Sequence, residues 1–415
     1  MAPSHHNAPS SDSNHRQSDS ARGKSDEPLR VELDCHIVAL THYLPPYMAR
    51  ALYFVTQQVR DFDILLSIDQ EPNRAFGNTW DGLQVDVQKS LMFRRPWKHS
   101  AGFTDELFVH IPYDTIRQLR RRNPDIVFSY ELGFRSLASS VYCSLYRKPL
   151  VLCVCVSEHS EQGRGILRHG LRKFLLRRAT AVTFNGPSCK NYLQERYSTP
   201  EAKLFHFPYC TSDLFRYEGP LERDPQVDHR FLCIGQLSQR KGVLPMIESL
   251  CKYCASRPEQ RLEIDLIGDG PLHETIRRLQ KPTNLTVRLL GHLNYEDMSR
   301  AMSQCGVLIF PTMADEWGLV VNEAMAAGLP VLGSVYGQAS TTLIQPSKNG
   351  WLYRPDNTED LEKKLDMILA TSHSQFNAMR STAQATVAEI TPQSVSRKAV
   401  EMFRWVQDRS PFAHR

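Results

Sequence analysis

The residues best suited to chemistry lie in segment 311–331, where an apolar strand is followed by an acidic loop and then by a helix. Asp315 and Glu316 stand in the loop, and Glu323 falls on the second turn of the helix, among apolar residues and alanines. A carboxylate is rarely placed on such a face without a partner, because burying an unpaired charge is unfavourable. Two interpretations are open for Glu323: it accepts hydrogen bonds from a vicinal diol such as a ribose, or it pairs with a core arginine.

A second candidate loop spans residues 235–242, between a strand and a helix, with the sequence Gly-Gln-Leu-Ser-Gln-Arg-Lys-Gly. Gly235 and Gly242 permit a tight turn and close approach to the backbone. The loop brings Arg240 and Lys241 to a helix N-terminus, where backbone N–H groups and the helix dipole attract anions. This pattern favours a diphosphate site. The alternative is an ordinary strand–glycine–helix turn with a solvated Lys–Arg pair.

Strands and helices must alternate around these loops to hold them in place. The second half has strand patterns at 231–235, 262–268, 285–291, 307–310 and 331–334, and helical patterns at 243–256, 272–280, 295–304 and 319–327. The first half has strand patterns at 33–40, 63–68, 125–129, 150–156 and 179–184, and helical patterns at 48–59, 115–122 and 189–197. Alternation of this kind predicts parallel sheets covered by helices, with ligands beyond the carboxyl ends of the strands. Segment 69–103 has no clear pattern.

The second half resembles the retaining glycosyltransferases of sequence family four, the glycosyl transferases group 1 type. The resemblance rests on Lys-Gly at 241–242, on Gly-Asp-Gly-Pro at 268–271, and on Asp315 followed after seven residues by Glu323. Glu323 opens the sequence Glu-Ala-Met-Ala-Ala-Gly-Leu-Pro-Val, and the match runs in register over about 230–369. It implies the α/β GT-B fold, in which two Rossmann-like domains face each other and a C-terminal helix returns to the first domain.

Composition and the resemblance together indicate an organisation along the chain. The expected parts are a disordered tail at 1–30, an N-terminal Rossmann-like acceptor domain at 31–215, a linker at 216–229, a C-terminal Rossmann-like nucleotide-sugar domain at 230–391, and a helix and tail at 392–415 that pack on the N-terminal domain. The linker is polar, with Pro220 and Pro225, which is typical of a domain boundary.

The donor contacts implied by the resemblance fall on the two loops. Glu323 would bind the ribose hydroxyls, Lys241 would neutralise the diphosphate, and the amides of Gly318 and Leu319 would contact the distal phosphate. The loop with Gly291 and Leu293 would lie beside the base. The predicted donor-binding residues are completed by Gly235, Gln236, Arg240 and Trp317.

Two departures from the family pattern leave alternatives open. The first acid of the pair is usually Glu, whereas Asp315 is one methylene shorter, so the contact with the donor sugar belongs either to Asp315 or to Glu316. Gln236 stands where the family usually has an arginine. Either Arg240 supplies the missing charge or the diphosphate depends on Lys241 alone.

In the first half, the resemblance implies a histidine in a loop after a buried strand, near the anomeric carbon of the sugar. His159 is the candidate, since it follows the strand predicted at 150–156, and a hydrogen-bonded loop histidine is the alternative. We therefore predict His159, Asp315 and Glu316 as catalytic. Glu131, after the strand predicted at 125–129, is the candidate for acceptor contact.

The segment 164–178 carries Arg164, Arg168, Arg172, Lys173, Arg177 and Arg178, with Leu167, Leu171, Phe174 and Leu175 predicted on the opposite face of one helix. One interpretation is a surface helix with a solvated basic face. The other is peripheral contact with an anionic membrane.

Composition limits the remaining possibilities. With 41% hydrophobic and 23% charged residues the chain is typical of a globular protein, and its net charge of +5 argues against a nucleic-acid partner. No apolar run approaches the ~20 residues needed to cross a bilayer. Cysteines within apolar runs and the absence of a secretory leader predict a cytoplasmic protein, with peripheral contact at the inner face of the membrane left open.

The sequence therefore predicts a retaining, hexosyltransferase-like glycosyltransferase. It would move a sugar from a nucleoside-diphosphate sugar to a glycan or glycolipid acceptor, in polysaccharide or glycolipid synthesis. No cofactor and no metal are expected, because metal ligands do not cluster at suitable spacing. The alternatives are a non-catalytic sugar-nucleotide-binding protein and a GT-B epimerase or phosphorylase.

Overall fold

Two parallel sheets, each covered by helices, and one antiparallel hairpin form the described part of the chain. A computed structural model describes residues 32–70, 80–212, 215, 217 and 219–409. The tail predicted at 1–30 lies outside these residues. The α/β class and the two Rossmann-like domains are confirmed.

The first domain is built on a seven-stranded sheet. Its elements are β1 (Leu33–Thr41), α1 (Pro46–Thr56), β2 (Val59–Leu66), β3 (Gln84–Val87), β4 (Ser90–Lys98), β5 (Thr104–Pro112), α2 (Thr115–Arg122), β6 (Ile126–Tyr130), α3 (Phe134–Tyr146), β7 (Leu150–Cys153), α4 (Ile166–Arg178), β8 (Ala181–Phe184), α5 (Pro187–Tyr197) and β9 (Leu204–His206). The strand order is β3-β2-β1-β6-β7-β8-β9. In β1, Ile37 and Ala39 pack into one core while Val38 and Leu40 pack into another, so the strand is buried on both faces, as parallel sheets require.

The second domain is built on a six-stranded sheet. Its elements, together with the C-terminal helix, are β10 (Arg230–Ile234), α6 (Val243–Ala255), β11 (Leu262–Ile267), α7 (His273–Arg278), β12 (Leu285–Gly291), α8 (Tyr295–Ser303), β13 (Val307–Phe310), α9 (Leu319–Ala326), β14 (Val331–Ser334), α10 (Gln338–Leu343), β15 (Gly350–Tyr353), α11 (Thr358–Leu369), α12 (His373–Val387) and α13 (Pro392–Asp408). The strand order β12-β11-β10-β13-β14-β15 is that of a Rossmann fold, and it reverses between β10 and β13.

Helix α13 crosses from the second domain to the first, as predicted. It begins with a capping box at Thr391 and with proline at its first position, both of which favour a helix start. Val400, Phe403 and Val406 enter the core formed by β1, β2 and β6. The ring of Phe403 lies 5.3 Å from that of Phe128 on β6.

The segment without a sequence pattern contains β4, which pairs with the following strand β5 in an antiparallel hairpin that belongs to neither parallel sheet. Its end reaches the second domain, where Trp97 and Phe103 pack with Met313 and Ala314 in the loop after β13. Trp97 is the only fully buried residue of β4, so the strand lacks the alternation of apolar and polar residues that predicts a strand.

Helix α4 is oriented differently from the prediction. Arg172, predicted on the solvated basic face, is 1% exposed and pairs with the buried Glu161. Leu167 and Phe174, predicted to face the core, are 93% and 46% exposed, whereas Leu175 is buried as expected. The apolar spacing fits more than one face of this helix, and Glu161, which draws Arg172 inward, lies outside the helix.

No helix among residues that the structure describes is long and apolar enough to span a bilayer.

Candidate active site

The site lies where the carboxyl ends of the two sheets face each other. In the second sheet the order reverses between β10 and β13, and the two motif loops follow these strands. In the first sheet it reverses between β1 and β6, after which come His42 and Glu131. Ligands of open parallel sheets bind at such reversal points. The loops after β10 and β13 in the second domain, and those after β1 and β6 in the first, therefore lie where a ligand is expected.

The glycine loop turns sharply at Gly242, which caps α6 with a φ of 67°. A Cβ at this position would lie 2.1 Å from the carbonyl oxygen of Pro311, so the backbones of the two motif loops touch only because residue 242 is glycine. Gly235 has open space where its side chain would be. The backbone carbonyl of Gln236 accepts a hydrogen bond from the amide of Ser238 at 2.9 Å, within the same loop.

The ammonium of Lys241 pairs with the carboxylate of Asp315, which lies in the loop after β13. Burial opposes ionisation of Asp315, but the charges of Lys241 and Arg240 lower its pKa. The alternative of a solvated Lys–Arg pair does not describe this loop, because Lys241 pairs with Asp315 and Arg240 pairs with Asp105.

Arg240 reaches the other domain. Its Nε atom lies 2.5 Å from the Oδ2 atom of Asp105 on β5, and its Nη1 donates to the carbonyl of Ala314 at 3.3 Å. The candidate replacement for the arginine missing at position 236 thus joins the β4–β5 hairpin to the donor loop.

Glu323 is buried on the second turn of α9, and burial raises its pKa to about 7. No cation pairs with its carboxylate among the residues that the structure describes. The core ion pair that was the alternative interpretation is therefore not formed there. Tyr295, at the start of α8, is close enough for the charge of Glu323 to contribute to raising its pKa to about 12, behind the larger effect of burial.

The start of α9 depends on Gly318, which caps the helix with a φ of 101°. A Cβ there would lie 2.3 Å from the Phe310 ring, so only glycine lets the helix begin against this strand end. Trp317 is buried, its Nε1 donates to Asn322 Oδ1 at 2.8 Å, and its ring stacks on Tyr209. The Trp317 side chain is therefore enclosed in an apolar cluster, next to Gly186 of the first domain.

The remaining predicted donor residues lie on the same side of the sheet. Gly291 ends β12 with a φ of 68°, and its carbonyl accepts from the amide of Gly268 at 2.7 Å. Leu293 and Leu319 are half-buried in one apolar cluster with Tyr295, the neighbour of Glu323. The base loop and the start of α9 are thus brought together by packing.

His159 spans the cleft. Its Nε2 atom is 2.8 Å from the carbonyl oxygen of Met313, and its ring stacks on Tyr336 with 4.3 Å between centroids. Glu316 points toward the first domain, where it accepts from Cys155 Sγ at 3.4 Å. Burial is the main reason why the pKa of Glu316 is raised. Asp315 and Glu316 therefore diverge, one toward Lys241 and the other toward the acceptor side.

Glu131 follows β6 and lies in the left-handed region, with a φ of 68°. Its Oε1 lies 3.2 Å from His42 Nδ1, and its Oε2 lies 3.8 Å from Arg135 Nη2. His42, Arg135 and Asp105 were missed in the sequence. His42 follows β1 just as Glu131 follows β6, so the rule for strand ends would have found it, whereas nothing local marks Asp105.

Metal ligands do not gather in the described ranges: no group of three or more His, Cys, Asp and Glu side chains there has the arrangement of a metal site. The expectation that the reaction uses no metal stays a prediction.

Residues 228–371, which include both motif loops and Glu323, match the model of the family described as "Glycosyl transferases group 1". This segment is a group 1 glycosyltransferase domain. Curated relatives match part of this chain, and the chain in turn spans only about a quarter to a half of the length of those it matches. A sulfoquinovosyl transferase (SQD2) of Arabidopsis thaliana is 34% identical over 132 residues, which are 31% of this chain and 25% of that protein. A GDP-mannose-dependent mannosyltransferase of Corynebacterium glutamicum acting on a monoacylated phosphatidylinositol monomannoside is 30% identical over 118 residues, 27% and 30% of the two chains.

Solved structures match beyond the group 1 domain. Anabaena Alr3699/HepE in complex with UDP has a TM-score of 0.66 at 16% identity, covering 89% of this chain and 100% of that one. Sucrose-phosphate synthase of Thermosynechococcus elongatus has a TM-score of 0.65 at 16% identity, covering 90% and 100%. These likenesses establish the two-domain GT-B architecture.

Proposed function

We propose that this protein transfers a glycosyl group from a nucleoside-diphosphate sugar to an acceptor hydroxyl, with retention of configuration. The observation that carries the proposal is the buried carboxylate of Glu323, which lacks a cationic partner among the described residues. A buried charge without a partner is costly, and two hydroxyls of a ribose would satisfy it. Retention is supported by the family-four motif that Glu323 opens.

The geometry suggests how a donor would bind. With its ribose on Glu323, the diphosphate reaches the N-terminus of α9 at Gly318 and the ammonium of Lys241. Lys241 then exchanges Asp315 for the diphosphate, which frees Asp315 for a sugar hydroxyl. As the nucleoside diphosphate leaves, its growing negative charge is stabilised by Lys241 and by the helix N-terminus, both positioned in advance. In this scheme protein cations take the place of a metal.

The acceptor would enter from the first domain. Glu316 and His159 stand between the donor loops and Glu131, so they are the groups placed to contact the reacting atoms. We keep both as candidate catalytic residues. Glu131 and His42 would receive the acceptor, because they occupy the reversal point of the first sheet.

We also propose that the acceptor is a glycolipid or glycan reached from an anionic membrane surface. Of the 14 large hydrophobic side chains exposed in the described residues, 12 lie between positions 87 and 174. Segment 87–178 contains 17 Lys and Arg against 7 Asp and Glu, whereas the rest of the chain contains 33 against 38. Exposed apolar residues combined with excess positive charge are complementary to an anionic bilayer.

On this surface the outer sides of α3 and α4 adjoin. Arg178 of α4 donates to the hydroxyl of Ser144 on α3, and its guanidinium lies 5.8 Å from the Phe174 ring centroid. Leu145, on α3, is also exposed. We call the exposed residues Leu145, Leu167, Lys173, Phe174, Arg177 and Arg178 the α3–α4 surface.

Product analysis tests the central proposal. A thermal-shift panel of nucleoside-diphosphate sugars identifies the donor, with UDP- and GDP-sugars first, because a solved neighbour holds UDP-glucose and a relative is named GDP-mannose-dependent. Ligand at about 100 times its Kd should raise the free energy of unfolding by about 2.7 kcal/mol. Proton NMR of the first product formed should show the anomeric configuration of the donor.

Inversion would overturn retention. Release of a free epimer, or of a sugar phosphate in the presence of phosphate, would favour an epimerase or phosphorylase, and donor binding without turnover over an acceptor panel would favour a non-catalytic binding protein.

A further inference from the structure

The cleft wall of the first domain carries more positive charge than its carboxylates neutralise. Three arginines, Arg164, Arg168 and Arg172, lie within ion-pair distance of Glu161, which stands just before α4. In the described structure they form ion pairs with no other carboxylate. Arg172 makes the close contact, whereas Arg168 and Arg164 remain 3.8 and 3.9 Å away. One carboxylate cannot neutralise three cations.

Arg135 adds a further buried cation on the same wall. Its side chain is 5% exposed, on the first turn of α3, and its single ion pair in the described residues is the 3.8 Å contact with Glu131. The Nε and Nη1 atoms have no hydrogen-bond partner there. Buried donors without acceptors cost about 1–3 kcal/mol or more, so an arginine held this way is poorly satisfied by the protein alone.

The surplus charge converges on Glu131. Burial opposes ionisation of this carboxylate, but the charges of His42, Arg135, Arg168 and His110 together lower its pKa. Half of the Glu131 side chain is exposed, so this point opens to the cleft. Burial is also the largest effect on the pKa of Arg135 and Arg168, and it lowers both.

We propose that Arg135 and Arg168 bind an anionic group on the acceptor, such as a phosphate, sulfate or carboxylate. Guanidinium groups bind such oxyanions through two parallel hydrogen bonds, which would supply the partners that Arg135 lacks. Glu131 and His42 bind a hydroxyl beside the anion. This inference rests on the proposed function, because it deepens the description of its acceptor site.

Binding of matched neutral and phosphorylated compounds tests the site without requiring turnover. The probes are glucose and glucose 6-phosphate, and glycerol and sn-glycerol 3-phosphate, titrated by NMR in the presence of the identified donor's nucleoside diphosphate. We expect the phosphorylated member of a pair to bind at least about tenfold more tightly, the effect of one charge-assisted hydrogen bond. Arg168→Gln should remove that preference and leave nucleoside-diphosphate affinity unchanged.

The matched control is Arg196→Gln, which removes an exposed arginine from α5 of the same domain and should keep the preference. Arg135→Lys tests the buried residue while retaining its charge: it should weaken phosphate binding, because an ammonium cannot form the two parallel bonds. If Arg135→Lys does not fold, Arg168→Gln decides, because that side chain is partly exposed.

Micelles of short-chain phosphatidylglycerol, compared with sn-glycerol 3-phosphate, distinguish a lipid headgroup from a soluble phosphate. Whichever of the two binds more tightly identifies the source of the anionic group, and loss of that binding in Arg168→Gln supports the site. Equal binding of neutral and phosphorylated probes would overturn the inference, as would a preference that survives Arg168→Gln. Loss of nucleoside-diphosphate binding in the wild type would instead count against the proposed function.

Discussion

Lys241 and Asp315 form an ion pair across the point where the strand order of the second sheet reverses. Each follows one of the two central strands, β10 and β13, so both stand where a ligand of this fold is expected. On the proposed function, a diphosphate entering this position would compete with Asp315 for the same ammonium group.

Lys241→Ala should weaken a nucleoside-diphosphate sugar far more than the bare nucleoside, because the lost partner is the diphosphate. One charge-assisted hydrogen bond is worth about 1.5–3 kcal/mol, or roughly 10- to 100-fold in Kd. Isothermal titration with the nucleoside, its diphosphate and the sugar donor checks this. Equal weakening of all three would place Lys241 away from the phosphates.

Two substitutions distinguish the possible roles of the Arg240–Asp105 pair. If Arg240 supplies the charge missing at Gln236, Arg240→Ala should weaken diphosphate binding several-fold, whereas Asp105→Asn should preserve or strengthen it by releasing the guanidinium. If Arg240 serves only to join the hairpin to the donor loop, both variants should have the same small effect. Titration of the nucleoside diphosphate distinguishes the two outcomes.

Glu323→Gln should abolish tight donor binding and yet stabilise the unliganded protein, because it keeps the shape and removes an uncompensated buried charge. The pKa of Glu323 is raised from 4.5 to about 7 in the folded protein, so the folded state binds the proton more tightly than the unfolded state does. The stability that this proton confers is present below about pH 4.5 and is lost as the pH rises through 7.

The gain in the variant's unfolding free energy should therefore be about 3 kcal/mol at pH 8 and below about 1 kcal/mol at pH 5. Chemical denaturation at both values measures it. Donor affinity of the wild type should fall as the pH drops below 7, where the carboxylate becomes protonated. A variant that keeps donor affinity within twofold would remove Glu323 from the site.

The α3–α4 surface predicts binding to vesicles that contain phosphatidylglycerol, but not to vesicles of phosphatidylcholine alone. Each cation near an anionic surface contributes about 1 kcal/mol, so Lys173→Gln with Arg177→Gln should weaken binding roughly thirtyfold. Leu167→Ser with Phe174→Ser should also weaken it, and donor affinity should not change in either variant.

Binding should decline with salt, because screening limits surface charge to about 8 Å at physiological ionic strength. Co-sedimentation that is independent of lipid charge would indicate that this surface is only a solvated face of the domain. Arg172 is unsuitable for this test, since its removal would leave Glu161 buried without its close partner.

The second domain could be predicted in detail because its signals are local. Strands β12, β13 and β14 have the predicted bounds, and the glycine and acidic loops each lie within a short strand–loop–helix unit. In such a unit the apolar run, the turn glycine and the helix start are fixed by neighbouring residues. Gly318 is an example. It has a left-handed φ, and the ring that leaves no room for a side chain there belongs to Phe310, only eight positions earlier in the chain.

Sequence by itself thus determined the fold class and the loops after the strands in which a ligand is expected, and it predicted the candidate donor residues. Tertiary structure alone decided the partners of the charged groups: Arg240 meets Asp105 across 135 positions, and Glu316 faces the first domain rather than Lys241. It also turned Arg172 inward and left Leu167 exposed. Apolar periodicity reports only that a helix has a buried face, whereas the side on which a charge settles depends on which distant residue compensates its burial.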